Sequence, residues 1–387
     1  MLSLFIIVPI FLAILINILP KRWMGGFVFW TLFLLCIAQA VLMVVPAAGF
    51  WLAKDVVSAF FGFSFAADSL SKVMLLSIAI VVFSALVTEA NVKEDRGQRF
   101  NFKSLLLIVL AGMNGIVLVR DIFTLYVFME ILAVSSFILI CFNRDRDAFE
   151  GAFKYIVFSA VATVLMLSSI GLLLVISGDT SFETIKHAAA ANNPLLVLIM
   201  GLYLCGLLIK GGVMPFHGWL PDTYSGAPSS VAVLLAGIGT KAAGIYPLIR
   251  IFYSVYPLSA PFRDVIMFVG AVSIVLGALA ALVQTNFKRM LAYSSISQIG
   301  YIVLSFGCAT PLAIGGAIFH LFNHSIFKSI LFVNAGTLRK QLKTVDMEVM
   351  GGLASKMPVT GVTSALACLS VAGIPPLSGF WSKLIII

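Results

Sequence analysis

The sequence predicts an all-α polytopic membrane protein of about 12 transmembrane helices. Three observations carry this. Of its 387 residues, 61% are hydrophobic and only 11% are charged, with a mean hydropathy of +1.10. A water-soluble domain needs about 25% charged residues to cover its surface, so most of this surface must meet lipid. Second, apolar runs of about 20 residues recur along the whole chain, each long enough to cross ~30 Å of hydrocarbon. Third, the weak apolar–polar alternation of a barrel strand is absent. Backbone groups in lipid must pair internally, so these runs are helices.

The spans fall at about 2–19, 24–46, 68–88, 103–119, 122–142, 153–176, 195–214, 228–252, 264–284, 290–307, 312–335 and 358–387. The first run, Leu2–Leu19, has no basic segment before it and no small-residue cleavage site. A second span follows at once, so it reads as the first membrane helix and not as a signal peptide. Connections such as Arg120–Asp121 are short enough to force antiparallel neighbours. The seventh span is continued by an irregular piece, MPFHGWLPDTYSGAPSS. The cysteines Cys36, Cys141, Cys205, Cys308 and Cys368 all lie in or beside apolar segments with no CxxC pair, and read as small buried hydrophobes. No metal site is expected.

The formal charge of +9 is explained by where the basic residues fall. Loops after odd-numbered spans hold Lys21, Arg22, Lys93, Arg96, Arg99, Lys103, Arg144, Arg146, Lys288, Arg289, Arg339, Lys340, Lys343 and Lys356. The other side holds Lys54, Arg120, Lys186, Arg250 and Arg263. The positive-inside bias places the first set in the cytoplasm and the N-terminus outside, in the cytoplasmic (inner) membrane of a cell. A nucleic-acid partner is not needed. Six lysines remain, inside spans or at their margins: Lys72, Lys154, Lys210, Lys241, Lys328 and Lys383. Buried lysine can lose its proton, whereas arginine is locked charged. Lys72 and Lys154 lie near span starts, where a lysine snorkels to the interface. Lys328 is ambiguous. Glu130 is the one acid in mid-span. For Glu130, Lys210, Lys241 and Lys383, flanked by apolar residues, the choice is between an ion pathway and an ion pair that only fixes packing.

A break is repeated. Gly212-Val-Met-Pro215-Phe-His-Gly218-Trp219 and Gly373-Ile-Pro375-Pro376-Leu-Ser-Gly379-Phe380 share the pattern G-x-x-P-x-x-G-aromatic, 161 residues apart. Proline removes a backbone donor and clashes with the preceding turn, and glycine adds freedom. Gly211, Gly212 and Pro215, and likewise Gly373, Pro375 and Pro376, therefore predict two interrupted helices. Interrupted helices at matching places in two halves point to a transporter's ion path.

Four stretches carry a resemblance: KGGVMPFHGWLPDTYSGAPSSVAVLLAG, FKRMLAYSSISQIGY, FHLFNHSIFKSILF and GIPPLSGFWSK. They resemble, in the same order, the antiporter-like membrane subunits of Mrp-type sodium/proton antiporters, of complex I and of membrane-bound energy-converting hydrogenases. The similarity covers nearly all of the chain from about residue 68. It is nearest to the D-type protein of the Mrp antiporter and its hydrogenase relatives, because GFWSK carries lysine. The resemblance implies a family fold of about 14 helices with two inverted five-helix repeats. It assigns 1–100 to helices one to three, 101–254 to the first repeat and 255–387 to an incomplete second repeat. The chain ends at Ile387, inside the twelfth helix, so the last two helices are expected from another chain or a continuation. The resemblance further implies that Glu130 pairs with Lys210, that Lys241 is a relay lysine, that His320 and His324 connect the halves, and that Lys383 is the far lysine.

The expected function is proton translocation along Glu130, Lys210, Lys241, His320, His324 and Lys383, within a multisubunit cation/proton antiporter or ion-pumping redox complex. Protons, and sodium as a second candidate ion, are the cargo. Homologous and small membrane subunits and the lipid bilayer are the partners. The i, i+4 spacing of His320 and His324 places them on one helix face. It permits a metal, but no carboxylate or cysteine accompanies them in the motif. A packing role for the two rings stays open. His217 reads as a capping or a relay residue, Asp222 as a cap on the following segment, and His187 as solvated. The alternative reading is a structural or coupling subunit without autonomous transport. No Gly-rich phosphate loop or cysteine cluster is present, so no cofactor or redox centre is expected in this chain and energy comes from a gradient or a partner. A quinone-binding role has no sequence feature of its own.

Overall fold

The computed structural model describes residues 2–18, 21–45, 64–90, 96–190, 194–256 and 258–387, without the side chains of 21–25, 96–100 and 190. Lys54 and Lys93 lie outside the described residues. Apart from isolated bridges such as Phe65 with Val119, the regular structure described is helical.

The apolar runs become helices α1 (Leu4–Ile18), α2 (Lys21–Val44), α3 (Ser69–Ala90), α4 (Arg96–Leu118), α5 (Ile122–Ile140) and α6 (Arg146–Ser177). Short polar caps start several of them. Asp68 Oδ1 accepts from Ser71 N at 2.9 Å, Asp121 Oδ1 from Thr124 N at 2.6 Å, and Asp145 Oδ1 from Ala148 N at 2.8 Å. Each carboxylate satisfies a backbone donor that the first turn leaves over. A short helix that hydropathy does not predict, α7 (Phe182–Ala190), follows, with Ser181 Oγ accepting from Thr184 N.

α8 (Pro194–Gly211) stops at the first break. A 3₁₀ turn at Phe216–Trp219 leads into α9 (Leu220–Gly226). The next span is α-helical at both ends, α10 (Ser229–Leu234) and α11 (Tyr246–Ser254), but π-helical at Leu235–Gly239 and Lys241–Ile245. α12 (Ala260–Leu282), α13 (Phe287–Gly307) and α14 (Pro311–Leu342) follow, then one turn, α15 (Leu353–Lys356). The final predicted span is two pieces, α16 (Pro358–Ala372) and α17 (Ser378–Ile386), with the second break between them.

Among the described residues ten helical stretches are long and apolar enough to cross a membrane, and α1 and α16 are shorter apolar helices. Large apolar side chains such as Phe153, Val164 and Val175 on α6 and Phe268, Val275 and Leu282 on α12 are exposed, the surface a bilayer would cover. From Ser230 to Phe252 every residue but Ala243 is buried.

The chain packs as two compact units. One holds Met1–Leu139, Ile156–Lys210 and Ala242–Pro257; the other holds Ile140–Tyr155, Gly211–Lys241 and Leu258–Ile387. In the first, α1, α2, α3 and α4 are tied by an amide pair: Gln39 and Asn114 exchange hydrogen bonds at 2.9 and 3.0 Å and reach the carbonyls of Leu75 and Phe5. In the second, α12 and α13 approach closely. A Cβ on Gly270 would meet Leu304 N at 2.5 Å, and one on Gly300 would meet Ile274 N at 2.7 Å. Small residues let membrane helices approach to backbone contact.

Several basic residues expected in loops lie on helices. Arg96, Arg99 and Lys103 belong to α4, and Lys103 sits 5.6 Å from the Phe29 ring centroid. Lys288 and Arg289 are in the first turn of α13, capped by Asn286, whose Oδ1 accepts from Arg289 N at 3.1 Å. Arg339 and Lys340 are in the last turn of α14, where cations complement the helix dipole. An apolar run marks only the hydrocarbon crossing. Helix ends reach past it.

Candidate functional site

In the first unit, Glu130 projects from α5 and Lys210 from the last turn of α8. The Lys210 ammonium donates to Glu130 Oε1 at 2.9 Å, and the lysine side chain is 4% exposed against 27% for the glutamate. α6 supplies two hydroxyls one turn apart. Ser159 Oγ accepts from Lys210 at 3.2 Å, and Thr163 donates to Glu130 Oε1 at 2.7 Å. The pair therefore has a polar wall. A buried ammonium without a carboxylate is strongly unfavourable, so each partner stabilises the charge of the other.

The break after Lys210 is built as the residues require. Gly212 has φ +64°, and a Cβ there would meet Leu220 Cδ1 at 2.5 Å. Only glycine takes this backbone freely. A cis Met214–Pro215 bond follows. In the second break Gly373 has φ +84°, and Pro375–Pro376 is cis. A Cβ on Gly373 would meet Lys383 Cδ at 3.0 Å, so this glycine also leaves room for the lysine stem.

In the second unit the ionisable groups gather around α14. His320, His324 and Lys328 lie i, i+4, i+8 along one face, and all are fully enclosed. The His320 and His324 ring centroids are 6.4 Å apart. His320 Nδ1 meets Ser382 Oγ of α17 at 2.9 Å. His320 Nε2 and both ring nitrogens of His324 have no hydrogen-bond partner among the described residues. An unsatisfied buried polar group costs ~1–3 kcal/mol, so these nitrogens are ready acceptors or donors. Tyr301 stands 6.1 Å from His320, and the Lys383 ammonium lies 4.9 Å over the Tyr301 ring. Lys383 also donates to Val371 O at 2.6 Å. Lys241, fully buried, donates back into its own helix, to Ala236 O and to Gly237 O, the latter at 2.7 Å. It lies within electrostatic reach of both histidines. Lys328 donates to Leu291 O at 2.9 Å.

The structure thus gathers Glu130 with Lys210 in one unit, and Lys241, His320, His324 and Lys383 in the other. Lys328, ambiguous in sequence, extends the histidine row. Ser159 and Thr163 were not legible, since a hydroxyl on an apolar helix carries no pattern. Lys288 is fully buried, with its amine on Ala227 O at 2.9 Å, although its neighbour Arg289 made it read as a loop residue. Arg250 is no free helix-end charge either: it forks onto Asp68, with Nη2 at 2.8 Å from Oδ1. Asp222 does not cap, because no side chain caps α9. It joins Lys154 of α6 at 2.5 Å and Arg289 of α13. Lys154 also pairs with Glu150 at 2.6 Å. His217 meets Pro215 O at 3.3 Å and lies 6.2 Å from the Tyr293 ring. His187 is exposed on α7. Among the described residues no cluster of three metal-ligating side chains occurs.

Fold and site together define a class: a polytopic α-helical membrane protein with interrupted helices and ionisable groups enclosed between spans. Within that class the chain belongs to the family described as NADH:quinone oxidoreductase/Mrp antiporter, TM, which matches residues 119–387. It is 33% identical over 330 residues to the D component of the Na(+)/H(+) antiporter of Alkalihalophilus pseudofirmus, covering 84% of this chain and 67% of that protein. It is 32% identical over 329 residues to the N component of the NADH-quinone oxidoreductase of Desulforudis audaxviator, covering 83% of this chain and 65% of that one. A polypeptide in the structure of the Mrp complex from Dietzia sp. DQ12-45-1b superimposes with a TM-score of 0.91 at 27% identity, covering 100% of this chain and 73% of that one. The chain spans about two thirds of the length of these sequence relatives.

Proposed function

We propose that this chain conducts protons as the antiporter-like subunit of a multisubunit membrane complex, a cation/proton antiporter or an ion-pumping redox complex. The carrying observation is the Glu130–Lys210 pair, 2.9 Å apart between apolar helices, with the lysine buried and the glutamate partly so. Glu130 and Lys210 form a switchable pair: moving either partner changes how firmly the lysine holds its proton. Lys241, His324, His320 and Lys383 are the further stations, with water between groups too far apart to bond directly. The ring nitrogens of His320 and His324 suit a middle station because three of them are buried with no hydrogen-bond partner among the described residues and can each bond a water.

The two interrupted segments are counterparts in an inverted repeat, 101–254 and 255–387, after the helices of 1–100. Their kinship rests on the shared pattern and the shared positive φ at Gly212 and Gly373. The N-terminus lies outside the cell membrane, by the distribution of lysine and arginine. Sodium is the second candidate cargo, as the name of the Alkalihalophilus pseudofirmus relative, a Na(+)/H(+) antiporter component, suggests. The partners are homologous and small membrane subunits.

The test is proton flux in vesicles that hold the assembled complex. Lys210→Ala and Glu130→Ala should each reduce flux to background while the complex still assembles. Undiminished flux with normal assembly would leave the chain as a structural or coupling subunit.

A further inference from the structure

Lys241 bonds to carbonyls that an ordinary helix would not offer. In an α-helix the N–H of Thr240 takes the carbonyl of Ala236. Here the helix is π-helical from Leu235 to Gly239, and Thr240 N–H takes Leu235 O instead. The Ala236 carbonyl is thereby relieved of that partner, and Lys241 Nζ occupies it together with Gly237 O. π-Bulges are rare, so something must hold this one.

Tyr224 is placed to do so. It is fully buried on α9, and its hydroxyl meets Thr240 Oγ1 and, at 3.2 Å, Leu235 O. Thr240 Oγ1 lies 3.1 Å from the same carbonyl. Leu235 O thus accepts from the Thr240 amide and from one of the two hydroxyls, while the other hydroxyl donates to its neighbour, so Tyr224, Thr240 and this carbonyl form one linked cluster. α9 is itself fixed. Asp222 is paired with Lys154 and Arg289, and Thr223 Oγ1 donates to Gly151 O at 2.9 Å. A Cβ on Gly226 would meet Asp147 O at 2.4 Å. The Tyr224 ring packs edge-on against Phe332 of α14, with centroids 5.8 Å apart.

We propose that Tyr224 is a positioning residue for Lys241: through Thr240 and the Leu235 carbonyl, its hydroxyl holds the wide helical register that gives the Lys241 amine its acceptors. The segment that follows the first break then governs how Lys241 is held. This rests on the relay reading of Lys241, and the experiment separates the two.

Proton flux is measured in vesicles holding the complete assembly, normalised to the amount of assembled chain. Lys241→Ala should be inactive. Tyr224→Phe and Thr240→Val should each slow flux about fivefold, the ratio set by one neutral hydrogen bond. The double variant should be no slower than either single one, because both remove the same link. Thr240→Ser, which keeps the hydroxyl, should restore the wild-type rate. If Tyr224→Phe fails to assemble, the Thr240→Val and Thr240→Ser comparison decides alone. With Lys241→Ala inactive, rates within about a factor of two of wild type for Tyr224→Phe and Thr240→Val would overturn the positioning role. So would multiplicative losses in the double variant, or a Thr240→Ser variant as slow as Thr240→Val. Full flux in Lys241→Ala would overturn the relay itself, and this inference with it.

Discussion

Asp68 and Thr163 show how single residues set charge in this protein. Asp68 lies just before α3. Burial works against its ionisation, but hydrogen bonds from Arg250 and Ser71 N–H and the charges of Arg250 and Arg120 outweigh that and hold its carboxyl well below the usual range. The stability it contributes is fully present above the unfolded carboxylate value near ~4 and is lost as pH falls through the depressed folded value. Asp68→Asn should therefore lower thermal stability at neutral pH, by about 1 kcal/mol given the screening at a half-exposed group. The gap to wild type should close in strong acid, as melting curves across pH would show. A gap that widened in acid would contradict the assignment. Thr163→Val removes the hydroxyl that donates to Glu130. It should slow proton flux about ten- to hundredfold, the scale of one hydrogen bond to a charged group, while assembly is kept. Such residues are the least legible in sequence. Lys210 and Glu130 stand out because charge is rare in an apolar run. Ser159, Thr163 and Tyr224 do not, because hydroxyls are common there and only packing gives them partners.

Among the elements, the helices follow directly from apolar length, and both breaks follow from glycine and proline at fixed spacing. Neither the π-helical stretch around Lys241 nor the burial of Lys288 could be read that way. GIGTKAAG has no residue that demands a π register, and Lys288 sits beside Arg289 at the edge of an apolar run. Tertiary contacts decide both. The second break gives a sharp test of packing. A Cβ on Gly379 would lie 1.8 Å from Ser370 O, whereas one on Gly171 would meet nothing within 4 Å. Gly379→Ala should therefore displace α17, and with it the Ser382–His320 contact, costing on the order of 1–3 kcal/mol as overpacking does. Gly171→Ala should be neutral or slightly stabilising in a helix. Thermal unfolding of the two variants in detergent checks this, and equal stabilities would contradict the packing of α17.

For the whole molecule, the sequence and the packed chain agree on a membrane solvent, with long exposed apolar faces on α6 and α12. The proposed orientation, with the N-terminus outside, rests on basic-residue placement alone. In a cysteine-free background, His187→Cys should react with a membrane-impermeant thiol reagent added outside cells. Gln341→Cys should react only after permeabilisation. The reverse pattern would invert the topology. Whether the buried charges transport or merely pack is the larger question, and neutralising both partners of the first pair answers it. Replacing a buried ion pair by neutral groups of similar size is often harmless to stability. A Glu130→Gln/Lys210→Met double variant should therefore assemble and melt like wild type, yet its vesicles should show only background proton flux. Wild-type flux from that stable double variant would mean that the pair only holds helices together.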